Sequence, residues 1–480
     1  MEHPRPAVSE QRSPEQRVPE QRVPRQHASP RRTLLLASLG FFLITLDILI
    51  VNVALTRISD DLGGGTTGQQ WIIDGYTLLF ASLLLFAGNL ADRLGAKRAL
   101  GSGIALFLLS SIACALAPTV GALIAARFVQ GAAAAAMLPS SMALIREAFP
   151  DARERAHALG IWAVGGAVAG AVGGAVAGAV GPLLGGLLTT IDWRLVFLIN
   201  IPVCAVMLVL LRRVAPSPAT SPPFDGAGQA LSLVGLGALM YGLIEGGAIG
   251  FDDPLVLGCL ALAILALSGF LLVQQRARHP MMPPDLFRSR NMRLALLVGF
   301  AFMVGNFGSV FVVSLYLQQH LGLTPLLAGL AFLPSAAFAV VGNIVSGRLA
   351  NRFGPRLPIV GGLATMAVGL AGLLATAPLS SPLLVGGLLV LTGVGGSVAM
   401  PPATAVVLAS VPPHRASTAS AVFNTFRQVG GAVAIAVFGA LLAGSRDFVA
   451  GMQTSMLIAA AVLLAAATAA AFLSTREQSA

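Results

Sequence analysis

The sequence predicts an all-α integral membrane protein of fourteen crossings, arranged as six helices, an inserted pair and six more. Three observations predict this. Apolar stretches of about 20 residues, the length that spans hydrocarbon at ~1.5 Å per residue, recur along all 480 residues. Mean hydropathy is +0.83 with 10% charged residues, and most stretches are apolar all round rather than on one face. A motif near residue 88 returns 259 residues later, so the chain contains two related halves.

In order, residues 1–32 are polar and repeat Pro-Glu-Gln-Arg-Val at 14–18 and 19–23. Proline every five residues and few apolar side chains predict a disordered tail. Crossings are expected at 34–55, 70–90, 99–117, 121–145, 157–187 and 193–211, forming a first bundle over 33–212. A Pro/Ser linker (213–226) leads to the inserted crossings 228–247 and 254–273, within 227–273. A basic loop (274–291) precedes a second bundle over 292–473. Its crossings are expected at 292–318, 325–346, 357–376, 382–409, 417–443 and 453–473, before a short tail, 474–480. No signal peptide precedes the first crossing, so it is expected to be retained.

The charge of +10 invites a nucleic-acid reading, which the placement of the cations opposes. An even number of crossings puts both termini on one face. That face carries 25 Lys+Arg, the other three (Arg57, Arg194, Arg446), and two lie inside helices. This positive-inside pattern predicts cytoplasmic termini. Cys114, Cys204 and Cys259 all fall inside crossings, with neither disulfide nor zinc spacing. The phosphate-loop pattern is absent, and no soluble stretch is long enough for an enzyme. A gradient-driven transporter without cofactor or metal is the expectation.

Gly88, Asp92, Arg93, Gly95 and Arg98 follow the second crossing; Gly347, Asn351, Arg352 and Gly354 follow the tenth. The 259-residue offset also carries Asp47 onto Asn306. Parallel repeats of this kind place substrate between the halves at mid-membrane. A second, local repeat, GGAVAGAV at 165–172 and 173–180, lengthens the fifth crossing by about two turns; a helix extension, a tilt or a bulge would each absorb it.

Ionisable residues inside a membrane are costly and are functional candidates by default. Asp47 lies about 21 Å into the first helix from the basic side, and Asp74 lies near the far end of the second. Either can exchange a proton or bind a cationic substrate; the plainer reading is a fixed carboxylate paired with Arg or capped by backbone. Arg127, within Arg127-Phe-Val-Gln130-Gly131, needs a carboxylate or several carbonyls, as a modulator of an acid or as a structural pair. Arg427 lines the cavity or snorkels to the interface. Glu245 lies near a helix end, where an interfacial role fits. Asn52, Tyr76, Phe80, Gln130, Asn306, Phe307 and Phe311 are further cavity candidates. Several of these aromatics could stack on a ligand or simply pack against lipid.

These motifs resemble the major facilitator superfamily, and within it the fourteen-helix drug/proton antiporter branch. Leu46-Asp47 through Leu55 is similar to the first-helix motif of that branch, with Thr56 where proline is usual. Gly88–Arg98 is similar to the superfamily's signature loop, and Arg127–Gly131 to its fourth-helix motif, with Ala133 in place of a glycine. Gly178, Gly181, Pro182, Gly185 and Gly186 resemble the antiporter motif, its distance from Trp162 stretched by the duplication. Trp71–Tyr76 and Leu243–Gly246 are similar to methylenomycin-resistance-type exporters of actinomycetes.

The resemblance implies a major facilitator fold with substrate between two rocking halves. It implies proton transfer near Arg127 and a latch at Asp92 and Arg93, weaker in the second copy, which carries Asn351. The expected function is proton-coupled export of amphipathic small molecules across a bacterial cytoplasmic membrane by a monomer whose partners are substrate, protons and lipid, with no nucleic acid. Two other readings remain open here: export of one specific metabolite, and a membrane sensor that moves nothing.

Overall fold

The computed structural model describes residues 29–151, 154, 158, 162, 184–219, 225–412, 415–445 and 447–474. Among these, all regular structure is helical. The first bundle contains α1 (Pro30–Leu62), α2 (Gly65–Leu94), α3 (Ala96–Ala115), α4 (Val120–Ala148) and α5 (Leu195–Arg212). The inserted pair is α6 (Gly226–Ile249) and α7 (Pro254–Arg276). The second bundle is α8 (Arg290–His320), α9 (Pro325–Phe353), α10 (Arg356–Thr376), α11 (Pro382–Ala409), α12 (Ala416–Gly444) and α13 (Phe448–Ala470). Among the described residues twelve helices are long and apolar enough to span a bilayer, and bent α2 makes thirteen. The fifth crossing expected at 157–187 lies outside the described residues except at 158, 162 and 184–187. The tail expectation lies outside them up to residue 28, and α1 begins at Pro30, because proline suits the first turn of a helix, where its missing N–H costs nothing.

Polar caps set the helix starts. Thr119 accepts from the Ala122 amide (3.2 Å), Asp225 from Gly228 (2.8 Å), Asp253 from Leu255 (2.8 Å) and Ser289 from Met292 (3.3 Å). The internal repeat reappears as geometry. α2 stops at Gly95 (φ +82°) and α9 at Gly354 (φ +77°), two left-handed turns that suit glycine, at the repeat offset. Close approach also selects glycine: a methyl on Gly131 of α4 would collide with the Tyr76 carbonyl of α2.

The hydrophobic cores show how the halves meet. One cluster is built mainly from the first bundle, including Leu36, Leu43, Ile44, Phe107, Met137 and Met207, with Phe307 of α8 packed against it. The larger cluster joins Ile50, Leu55, Ile58, Ile72 and Phe197 of the first bundle to Phe311, Tyr316, Phe423 and Phe438 of the second. The first-bundle residues in that shared core belong to the end of the bundle where α1 stops and α2 starts. The halves are therefore sealed together at the α1–α2 end, while the opposite end of the first bundle has its own core.

The inserted pair lies along the seam between α2 and α12. Met240 and Ile244 of α6 pack with Leu78 of α2 and with Ala432 and Ala436 of α12. Trp71 Nε1 donates to Glu245 Oε1 (2.9 Å), and Gln229 Nε2 donates to the Ser82 carbonyl (3.0 Å). α7 packs on α6 and turns Leu255, Ile264, Leu265 and Leu272 outward, the exposed apolar face that lipid covers.

Gly131→Ala is expected to wedge α2 from α4 and to cost about 1–3 kcal/mol, the range for overpacking a tight contact. Thermal unfolding of the detergent-purified protein, read by tryptophan fluorescence, checks this.

Candidate substrate and coupling site

The site begins with one charge that the fold must accommodate. Asp47 of α1 is fully buried. Its Oδ2 accepts from Arg127 Nη1 of α4 at 2.5 Å. Its Oδ1 accepts from Gln130 Nε2 (3.0 Å) and from Asn200 Nδ2 of α5 (2.9 Å). Arg127 and Gln130 are three residues apart, so both project from one face of α4. Arg127 makes further contacts: Nε donates to the Ile72 carbonyl (3.0 Å), Nη1 to Gln130 Oε1 (2.7 Å), and the guanidinium stands 4.4 Å over the Tyr76 ring. Ser111 of α3 closes the network by accepting from Gln130 (2.9 Å) and Asn200 (3.2 Å). A buried ion pair repays its desolvation only when such additional bonds satisfy both partners. Here helices α1 to α5 all contribute, Ile72 and Tyr76 coming from α2.

Asp74 presents the opposite case. It is fully buried, and among the described residues neither carboxyl oxygen has a hydrogen-bond partner. Four residues before it, Gln70 Nε2 donates across the seam to the carbonyls of Ile435 (3.2 Å) and Ala436 (2.9 Å) of α12. Four residues after it, Leu78 packs in the cluster with Ala432 and Ala436. Residues four apart share a helix face, so Asp74 stands on the stripe of α2 that faces α12.

More contacts close the α1–α2 end. Ser314 of α8 donates to the Asn52 carbonyl (3.1 Å), and Gln319 Nε2 lies 3.5 Å from Gln69 Oε1. Gly185 lies against Ile50 of α1, where an added Cβ would be 2.8 Å from the Ile50 carbonyl oxygen. Gly186 lies against the start of α9, where an added Cβ would be 2.7 Å from Leu326 Cα. One glycine thus grips each half.

Residues 37–435 match the Major Facilitator Superfamily. The chain belongs to that superfamily. It is 38% identical over 424 residues to a methylenomycin A resistance protein of Streptomyces coelicolor, covering 87% of each chain. It is 38% identical over 415 residues to the multidrug resistance protein Stp of Mycobacterium tuberculosis, covering 86% of this chain and 75% of that relative. A tetracenomycin C resistance and export protein of Streptomyces glaucescens is 35% identical, covering 86% of this chain and 76% of that relative. Among solved structures, a peptide transporter POT in complex with sulfate superposes with a TM-score of 0.65 at 17% identity, covering 92% of this chain and 95% of that one. The xylose transporter XylE from E. coli, in a partially occluded inward-open conformation, gives 0.60 at 14%, covering 92% and 96%. Such identities carry the fold alone. The chain is a multi-pass membrane transporter, not an enzyme.

Within this superfamily member the signature loop is a packed corner. Asp92 Oδ1 lies 3.7 Å from Arg146 Nη2 at the end of α4, with both side chains about half exposed. Gly95 fits under Ser217 of the linker, whose Oγ accepts from the Lys97 amide (3.0 Å) and donates to Glu147 (2.6 Å). Lys97 Nζ also donates to the Val214 carbonyl. A Cβ added at Gly88 would meet Pro139 at 3.8 Å, an ordinary contact, and Arg93 and Arg98 are exposed. In the second copy Gly347, Asn351 and Arg352 are exposed, and the Arg352 guanidinium lies 5.1 Å from the Phe353 ring. In the antiporter motif, Gly178, Gly181 and Pro182 lie outside the described residues.

The other candidates divide. Gln130 belongs to the ion-pair network. Asn52 is at the seam, its Nδ2 bonded to the Ile48 carbonyl (2.7 Å). Tyr76 carries Arg127 on its ring face. Phe80 and Phe311 are buried in the two cores. Phe302, Asn306 and Phe307 stay partly exposed on a helix that is otherwise largely buried, as expected of an internal cavity wall. Arg427 folds against α8 rather than reaching for the interface: its Cγ would lie 3.0 Å from a Cβ added at Gly299. Glu245 is the acceptor for Trp71 described above. Sequence reasoning missed Ser111, Asn200 and Gln70. Asn200 and Gln70, amides next to long apolar runs, carried a usable signal; Ser111 did not, because serine commonly back-bonds within membrane helices.

Removing one partner of a buried pair costs more than keeping its hydrogen bonds with a neutral isostere. Arg127→Ala, which leaves Asp47 charged and unpaired, is expected to destabilise by about 3–5 kcal/mol, and Asp47→Asn by clearly less. Comparative thermal unfolding checks the order. Gly186→Val is expected to force the α1–α2 end apart, read as increased alkylation of a cysteine introduced at Asn52.

Proposed function

We propose that this transporter exports amphipathic small molecules, antibiotics among them, across a bacterial cytoplasmic membrane in exchange for protons. The positive-inside count supports cytoplasmic termini, which makes the α1–α2 end the outer face. A monomer is sufficient, because both halves of the path lie in one chain. The resistance and export proteins to which the chain is similar support the drug class of substrate.

One observation carries the coupling: a satisfied acid and an unsatisfied one occupy the same half. Asp47 is charge-balanced by Arg127 and held by three donors. Asp74 has none, so when ionised it is a bare charge in apolar surroundings, and when protonated only a neutral polar group. In the outward-closed arrangement Asp74 carries the proton, sealed against α12. Rocking the halves parts the seam, admits water and lets that proton exchange. A cationic or polar substrate competes for Asp47 from the cavity side and loosens the pair with Arg127. Each ligand shifts the balance of states by its differential affinity, and this links the two fluxes.

Efflux of ethidium from everted vesicles, driven by an imposed pH gradient, tests the reading. Asp47→Asn and Asp74→Asn, at equal membrane expression, are each expected to lose gradient-driven transport. Asp47→Asn should keep downhill exchange. Undiminished gradient-driven efflux from Asp47→Asn contradicts the assignment.

A further inference from the structure

The chain places two arginines deep in its helices and treats them differently. Arg127 meets a carboxylate, an amide oxygen, a backbone carbonyl and an aromatic face. Arg427 of α12 has five N–H donors, of which Nη1 reaches Asn424 Oδ1 at 3.2 Å. Its Nε is buried without a partner, and among the described residues no carboxylate lies within ion-pair distance. Its guanidinium carbon stands 5.9 Å from the ring centres of both Phe302 and Phe423. At the repeat offset Asp47 falls on Asn306, one helical turn from Phe302 on α8. The first half buries a neutralised pair; the second half holds a cation beside the partly exposed Phe302.

An uncompensated guanidinium in a membrane interior is costly. Two rings that hold its position while donors stay open form a receptor for a planar anion, since the guanidinium fork matches a carboxylate bidentately. Resting on the export reading above, we propose that Arg427, flanked by Phe302 and Phe423 and bonded to Asn424, binds the carboxylate of anionic amphipathic substrates. The apolar body of the substrate lies along Phe302 and Phe307. The transporter then carries substrates of both charge classes from two walls: cations at Asp47, and carboxylates at Arg427.

The test compares N-dansyl-leucine with its methyl ester, which differ only in the anionic group, by fluorescence titration of the full-length protein in neutral detergent. The wild type is expected to bind the acid about ten- to a hundredfold more tightly than the ester, the range for charge-assisted hydrogen bonds. In Arg427→Gln that ratio should fall to near one, and Arg427→Lys should restore part of it. Equal binding of acid and ester by the wild type overturns the proposal. So does a ratio unchanged in Arg427→Gln, or displacement of the acid by phosphatidylglycerol micelles, which would assign the guanidinium to a lipid phosphate. These titrations need no gradient, so they decide the anion site separately from the ethidium efflux that decides proton-driven export.

Discussion

The structure depends on keeping one carboxylate and one guanidinium in a place where neither belongs. Withdrawing each ion from water costs several kcal/mol, and mutual attraction offsets this only with good geometry and additional hydrogen bonds. Around Asp47 and Arg127 those bonds involve Gln130, Asn200, Ser111 and the Ile72 carbonyl. That shell ties α1 to α5 together, so the first half is bound to move as a body. It also explains the close approach at Gly131: only there can α2 come near enough to lend its backbone carbonyl and the Tyr76 ring.

With the first half rigid, function moves to its borders. At the α1–α2 end a shared apolar core, the Gln70 bonds to α12 and the contact of Gly186 with α9 hold the halves together. Most of these contacts are backbone-directed or apolar and reversible at small cost, as a rocking interface requires. The inserted helices lie on the same seam. They hydrogen-bond to α2 through Trp71 and Ser82, but meet α12 through alanines, so they are positioned to seal Asp74 laterally from lipid. Among the described residues the second half has no copy of the buried ion pair, and its asymmetry lies in Asn306 and the open guanidinium of Arg427.

Much of this was legible in the sequence, for a physical reason. Charge inside an apolar run is rare enough that Asp47, Asp74, Arg127 and Arg427 declare themselves, and a repeated glycine turn announces the two halves. What the sequence could not disclose is who meets whom. That Asp47 has Arg127 while Asp74 has nothing depends on helix rotation, which hydropathy does not encode in helices apolar on every side. The carbonyl of Ile72 and the hydroxyl of Ser111 act through backbone position and close packing, which residue type does not reveal. Phe80 and Phe311 read as cavity aromatics yet lie in the cores, since lipid, ligand and core all accept a phenyl ring equally. Helix ends moved for a simpler cause: end turns such as the one beginning at Pro30 extend past the hydrocarbon that the hydropathy pattern marks.

The central claim is that substrate at Asp47 and the proton at Asp74 favour opposite states of the two halves, so that binding one releases the other. The most direct measurement is proton release during binding: ethidium is titrated into detergent-purified protein in weakly buffered solution with a pH-indicator dye. Saturable release that tracks ethidium binding, and that disappears in Asp47→Asn/Asp74→Asn, is the predicted result. Saturable ethidium binding with no proton released would contradict the account.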